Sequence, residues 1–140
     1  MKKIKHNTNQ HRKNTKKTKL LYPELSYNVR GAIFEVYKEL GPYHKEKVYD
    51  NALAEELKTS GIKFSRQKRV EIKYNDKKVG TYIPDFVIEN KIIIELKAVK
   101  FIHKSAIKQL YHYLNGSQYR VGFLVNFKSP RKVKIIRRVK

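Results

Sequence analysis

Residues 84–97 read Pro-Asp-Phe-Val-Ile-Glu-Asn-Lys-Ile-Ile-Ile-Glu-Leu-Lys. Two aliphatic runs, Phe86–Ile88 and Ile92–Leu96, flank Glu89-Asn90-Lys91, so the stretch predicts a β-hairpin. With the turn centred on Asn90, Val87 faces Ile93, Phe86 faces Ile94 and Asp85 faces Glu95. The even positions Phe86, Ile88, Ile92, Ile94 and Leu96 then form an unbroken apolar face for the core. The odd face starts apolar with Val87 and Ile93 and becomes Asp85, Glu95 and Lys97. Opposed β-carbons in such a ladder stand roughly 5 Å apart, where like charges destabilise. Lys97 relieves one carboxylate, whereas a divalent cation relieves both. Two carboxylates, a backbone carbonyl and water are a common setting for Mg2+. An ordinary ion-pair cluster at a hairpin end accounts for the same three residues, and geometry by itself does not choose between the two.

On the N-terminal side, Val29, Ala32, Ile33, Val36, Tyr37 and Leu40 recur at helical spacing after Pro23, and Gly41-Pro42 ends that helix. A second helix is predicted over Glu46–Ser60, with Val48, Tyr49, Ala52, Leu53 and Leu57 inward and Gly61 as its stop. Ile62–Gln67 and Val70–Tyr74 alternate like strands, a turn follows at residues 75–78, and Val79–Ile88 reads as the strand that enters the hairpin. Beyond the hairpin, a helix is predicted over Ser105–Asn115, with Ile107, Leu110, Tyr111 and Leu114 on its inner side and Gly116 as its stop. Tyr119–Phe127 is apolar on both faces, as in an interior strand. Lys132–Val139 adds an edge strand. Strands joined by short turns are antiparallel, and the one reached through a helix runs parallel to its predecessor. The fold class is therefore mixed α/β, a central mixed β-sheet flanked by helices in the order α-α-β-β-β-β-α-β.

The 140 residues make one domain of ordinary size, without cysteine and with a formal charge of +21. The absence of cysteine excludes disulfides and thiolate zinc sites and suits a reducing, cytoplasmic setting. No apolar run approaches the roughly 20 residues of a membrane span, and no signal-peptide core is present. Residues 1–19 hold eight Lys/Arg and no acid, and residues 128–140 hold seven and no acid. The chain thus divides into a basic arm over 1–19, expected to be disordered until something binds, a body over 20–127, and a basic C-terminal segment over 128–140. Such ends are either solvated tails or arms that condense onto a phosphate backbone, so nucleic acid is the expected polyanion. The five histidines lack zinc-site spacing, and no nucleophile elbow or glycine-rich phosphate loop is present.

Pro84-Asp85 followed by Glu95-Leu96-Lys97 resembles the PD-(D/E)XK nuclease signature, on an element order that resembles the restriction-endonuclease-like core of that superfamily. The likeness extends to the GxxExxY proteins through residues 30–42, 46–57, 61–67, 85–99, 109–114 and 121–127. In the motif that names that family, Glu46 and Tyr49 are present and Tyr43 replaces the glycine, which puts the loop before the second helix in question. The resemblance implies a nuclease that hydrolyses phosphodiester bonds with Mg2+ or Mn2+. It implies Asp85 and Glu95 as metal ligands with the Leu96 carbonyl, and Lys97 as the residue that orients the attacking water. Members of the superfamily often bring a helix glutamate to the metal, which by the resemblance implies Glu46 here; a first-turn acid favoured by the helix dipole explains Glu46 equally. Gln109 and Tyr113, one helical turn apart, resemble the Q-x-x-x-Y element of RecB-like nucleases that holds the substrate strand. Arg66 and Gln67 are further candidates for phosphate contact. DNA is the favoured substrate by analogy, and such nucleases often work as homodimers. The competing readings are a nuclease fold that binds nucleic acid without cutting it and a small basic scaffold of the ribosome-associated sort.

Overall fold

The computed structural model describes residues 21–140; the expected disordered arm over 1–19 lies outside the described residues. Helix α1 spans Pro23–Leu40 and α2 spans Glu46–Thr59. Pro23 occupies the first turn of α1, where a missing N–H costs nothing. Gly41, at φ 63°, closes the helix by donating its N–H to the Tyr37 carbonyl. The next elements are β1 (Phe64–Arg66), β2 (Val70–Tyr74), β3 (Lys77–Tyr82), β4 (Phe86–Ile88) and β5 (Ile92–Lys97). The chain ends with α3 (Lys104–Gly116), β6 (Val121–Asn126) and β7 (Lys134–Val139). No helix among the described residues is long and apolar enough to cross a membrane.

The main sheet has the order β1-β4-β5-β6-β7. Only β5 and β6 run parallel, and α3 makes the crossover between them; the other neighbours are antiparallel. The hairpin register is the one its alternation predicts, with Phe86 opposite Ile94, Val87 opposite Ile93 and Ile88 opposite Ile92. Its even face is buried with α1 and α2 in one cluster that includes Phe86, Ile94, Leu96, Phe123, Ile33 and Leu53. The odd face, through Val87 and Ile93, packs with Leu110 and Leu114 of α3. Strand β6 is buried along its whole length, as an interior strand must be. Segment 128–140 carries β7, an edge strand with Lys134, Arg137 and Arg138 on it, charges that discourage a further strand from pairing there.

The structure corrects three expectations. Val79–Ile88 is two strands: β3 pairs with β2 in a separate two-stranded sheet, while β4 belongs to the main one. Pro84 lies at the break, where its missing N–H denies the ladder a donor. Val48 and Tyr111 are exposed, whereas Ala54, Asp50 and the partly buried Tyr113 face inward. The periodicity was compatible with either face for these residues, because each lies at the margin of its helix's apolar stripe.

Candidate active site

The chain bends at Asp85 as it enters the main sheet, and the bend sets up a reciprocal clasp. The Asp85 backbone N–H donates to Glu95 Oε1 at 3.0 Å, and the Leu96 N–H donates to Asp85 Oδ2 at 2.7 Å. The Asp85 side chain thus takes a ladder position that the backbone of Pro84 leaves. One oxygen of each carboxylate is fixed by a backbone donor, and neither carboxylate has an ion pair among the described residues. The Lys97 carbonyl accepts the Phe127 N–H at 3.0 Å, toward β6. Backbone directions alternate along a strand, so the Leu96 carbonyl points to the other side, where Asp85 lies. Lys97 shares the strand face of Glu95 and is half-buried; its ammonium makes no ion pair among the described residues.

Burial first, then the adjacent Asp85 charge, pushes the Glu95 carboxyl up to about 7. The Asp85 N–H opposes that rise. The Tyr82 hydroxyl is buried against Glu95 without a hydrogen bond of ordinary geometry. Its own ionisation is driven out of range by burial and by the Glu95 and Asp85 charges. At the N-terminus of α2, partial burial and then Asp85 raise the Glu46 carboxyl; Lys97 pulls it down and Asp50 raises it again. Glu46 is nonetheless exposed by area. Its electrostatic neighbours place it beside Asp85 and Lys97.

Around this core, Gln109 and Tyr113 line a shallow crevice with Glu95 and Lys97. The Tyr113 ring is stacked on Tyr82 at 3.7 Å and 12° between planes, so it is held in place before any ligand arrives. Arg66 and Gln67 are not brought into the crevice. Arg66 donates to Asp50 and to Asn51, both at 2.9 Å, and lies 5.7 Å over the Phe86 ring, bracing β1 to α2. Gln67 is past the end of β1 in a left-handed conformation at φ 55°, exposed, with its N–H on the Asp85 carbonyl at 3.3 Å. The loop that presents Glu46 is fixed by Tyr49, whose hydroxyl donates to the Gly41 carbonyl and accepts the His44 N–H at 3.2 Å. Tyr43 has no positive φ: the left-handed turn belongs to Gly41, so a side chain at position 43 costs this loop no turn freedom.

Three residues escaped the sequence reading. Tyr82 buttresses Glu95, and Asp50 holds Arg66. Asn126, 1% exposed, accepts the Val99 and Lys128 N–H groups and donates to the Val99 carbonyl at 2.7 Å, tying down the chain just after Lys97. Asn126 ends an otherwise apolar strand, and a buried amide there is a signal that its sequence already carries. Tyr82 and Asp50 depend on tertiary contacts that no local pattern announces.

Among the described residues, no three His, Cys, Asp or Glu side chains form a cluster able to hold a metal. The donors that are present still fit a hard divalent cation. Two preset carboxylates short of counter-charge flank a carbonyl, and Mg2+ is commonly held through one or two carboxylates with water filling its shell. The family model of the PD-(D/E)XK nuclease superfamily matches residues 23–139. No curated protein and no solved structure matches the chain.

Proposed function

The chain belongs to the PD-(D/E)XK nuclease superfamily, and on that premise we propose that it is a metal-dependent nuclease that hydrolyses phosphodiester bonds, DNA before RNA, within the GxxExxY group. One observation supports the reading: the reciprocal clasp holds the Asp85 and Glu95 carboxylates side by side, one oxygen of each on a backbone N–H, with Lys97 on the same strand face as Glu95 and the Leu96 carbonyl between them as the expected third ligand. Asp85, Glu95 and the Leu96 carbonyl would hold Mg2+ or Mn2+. Such an ion supplies Lewis acidity and acidifies its bound water. Lys97 orients the attacking water and offsets charge that grows on the phosphate, where positioning and electrostatics do most of the work. Glu46, which does not complete a three-carboxylate cluster, acts through water. Gln109 and the preset Tyr113 ring hold the substrate strand against the crevice. Arg66 braces β1 against α2 through Asp50 and Asn51. The cysteine-free composition suits a cytoplasmic enzyme.

The test is cleavage of single- and double-stranded DNA and RNA in Mg2+, Mn2+ or EDTA. Wild type is expected to cut DNA only with metal. Lys97→Ala is expected to lose about 100-fold or more of the rate while still binding. Cleavage in EDTA, or cleavage that survives Lys97→Ala, would overturn the assignment.

A further inference from the structure

The β2–β3 hairpin stands apart from the five-stranded sheet and is anchored on one face only. Val70 and Tyr82 are buried, and Ile72 packs so close to α3 that a β-carbon on Gly116 would meet its methyl at 2.9 Å. Past Ile72 a bulge shifts the register, and the remaining tip contributes nothing to the core. There Lys73 directly faces Lys78, and Tyr74 faces Lys77. Like charges so opposed destabilise a ladder. The only relief within the described residues is an exposed Lys73–Glu71 contact at 4.0 Å, worth little in water. Tyr74 is 69% exposed and Val79 64%. The tip thus gathers Lys73, Lys77 and Lys78 beside the exposed Tyr74 and Val79, a composition suited to an anionic ligand that also offers an apolar wall. Beside it, a groove of about 810 Å³ runs between β2 and the end of α3, with Lys68, Arg69 and Lys73 on one side and Asn115 and Gln118 on the other.

We propose that this hairpin is a second nucleic-acid contact, a wing that grips duplex DNA away from the Asp85–Glu95 pair. The inference rests on the nuclease reading for its choice of polyanion. Lys73, Lys77 and Lys78 bind backbone phosphates, and the Tyr74 and Val79 side chains lie against the groove wall. A two-stranded ribbon fits the major groove of B-form DNA, roughly 12 Å wide. The deep, narrow major groove of duplex RNA does not admit it. At roughly 3.3 Å per residue, β3 carries Lys77 about 17 Å from Tyr82, the residue that abuts Glu95. The wing therefore lengthens the footprint on the duplex and leaves the crevice itself unchanged.

The test compares the full chain with the triple variant Lys73→Gln, Lys77→Gln, Lys78→Gln by fluorescence anisotropy on a labelled DNA duplex in EDTA, over a salt series. Loss of three phosphate contacts is expected to make the slope of log K against log salt shallower by about 2.7. The single variant Lys78→Gln should give about a third of that change. Thermal melting is expected to show the triple variant at least as stable as wild type, since the facing lysines are gone. An unchanged slope in a folded variant overturns the proposal, and an equal loss on duplex RNA overturns the groove placement. The nuclease reading fails separately: a wild type whose slope depends on the hairpin but which cuts nothing in Mg2+ or Mn2+ sinks that reading and leaves the wing. Cleavage with an unchanged slope does the reverse.

Discussion

Glu95 carries a conflict between what the fold needs and what the chemistry needs. Its burial and its neighbour Asp85 raise its carboxyl from the ordinary 4.5 to about 7. The folded state therefore holds this proton more tightly than the unfolded chain does. The resulting stabilisation is fully present below about pH 4.5 and is lost as pH rises through about 7, amounting to at most about 3 kcal/mol. Metal-free protein is thus expected to show a urea midpoint that falls across this window relative to Glu95→Gln, in which the slope flattens. Saturating Mg2+ at neutral pH is expected to recover the lost stability, because the ion replaces the proton as counter-charge. Coincident midpoints for wild type and Glu95→Gln at every pH would show that the acidic pair carries no strain for a cation to relieve.

At the level of elements, the crevice depends on how closely α3 lies on the sheet. Gly122 of β6 is beneath it: a β-carbon there would stand 2.9 Å from Leu110 Cδ1 and 3.2 Å from Ile93 Cγ1. Gly122→Ala is therefore expected to cost about 1–3 kcal/mol by overpacking, read as a lower midpoint in denaturant, and to lift Gln109 and Tyr113 from Glu95 and Lys97. Wild-type stability in that variant would mean that α3 moves freely on the sheet. The elements themselves were legible because their periods are clean. The apolar positions of α1 recur every three or four residues, and the β4–β5 hairpin alternates so strictly that only one register buries Phe86, Ile94 and Leu96 together. That register brought Asp85 opposite Glu95 before any coordinates. What could not be read was pairing at a distance. Nothing local tells β3 to leave β4 for β2, and Pro84 marks the break without saying where each half goes. Likewise Arg66 has the composition of a phosphate ligand, and only the tertiary fold supplies Asp50 to occupy it.

Over the whole molecule, charge is segregated. Residues 21–62, which form α1 and α2, hold five Lys/Arg against seven acids, whereas residues 63–140 hold twenty against five. On the nuclease reading a polyanion is drawn to the strands, α3 and the β2–β3 hairpin, while α1 and α2 carry the acidic excess and α2 meets the site through Glu46 at its N-terminus. The basic residues of 1–19 add eight further cations at the end of the chain that leads into α1. The described elements start at Pro23 of α1, and the Leu21 carbonyl accepts a hydrogen bond from Arg137 of β7. A chain lacking residues 1–19 is expected to melt with wild type yet bind DNA more weakly and with a shallower salt dependence. Each phosphate contact that is lost takes about 0.9 from the slope, so eight cations set a ceiling near about 7. Cleavage should decline through KM, because the Asp85, Glu95 and Lys97 geometry is built wholly within the 84–97 hairpin and the strand beside it. A truncated chain whose salt slope matches wild type would make the arm a solvated tail, and the affinity would then have to come from the body and its hairpin wing.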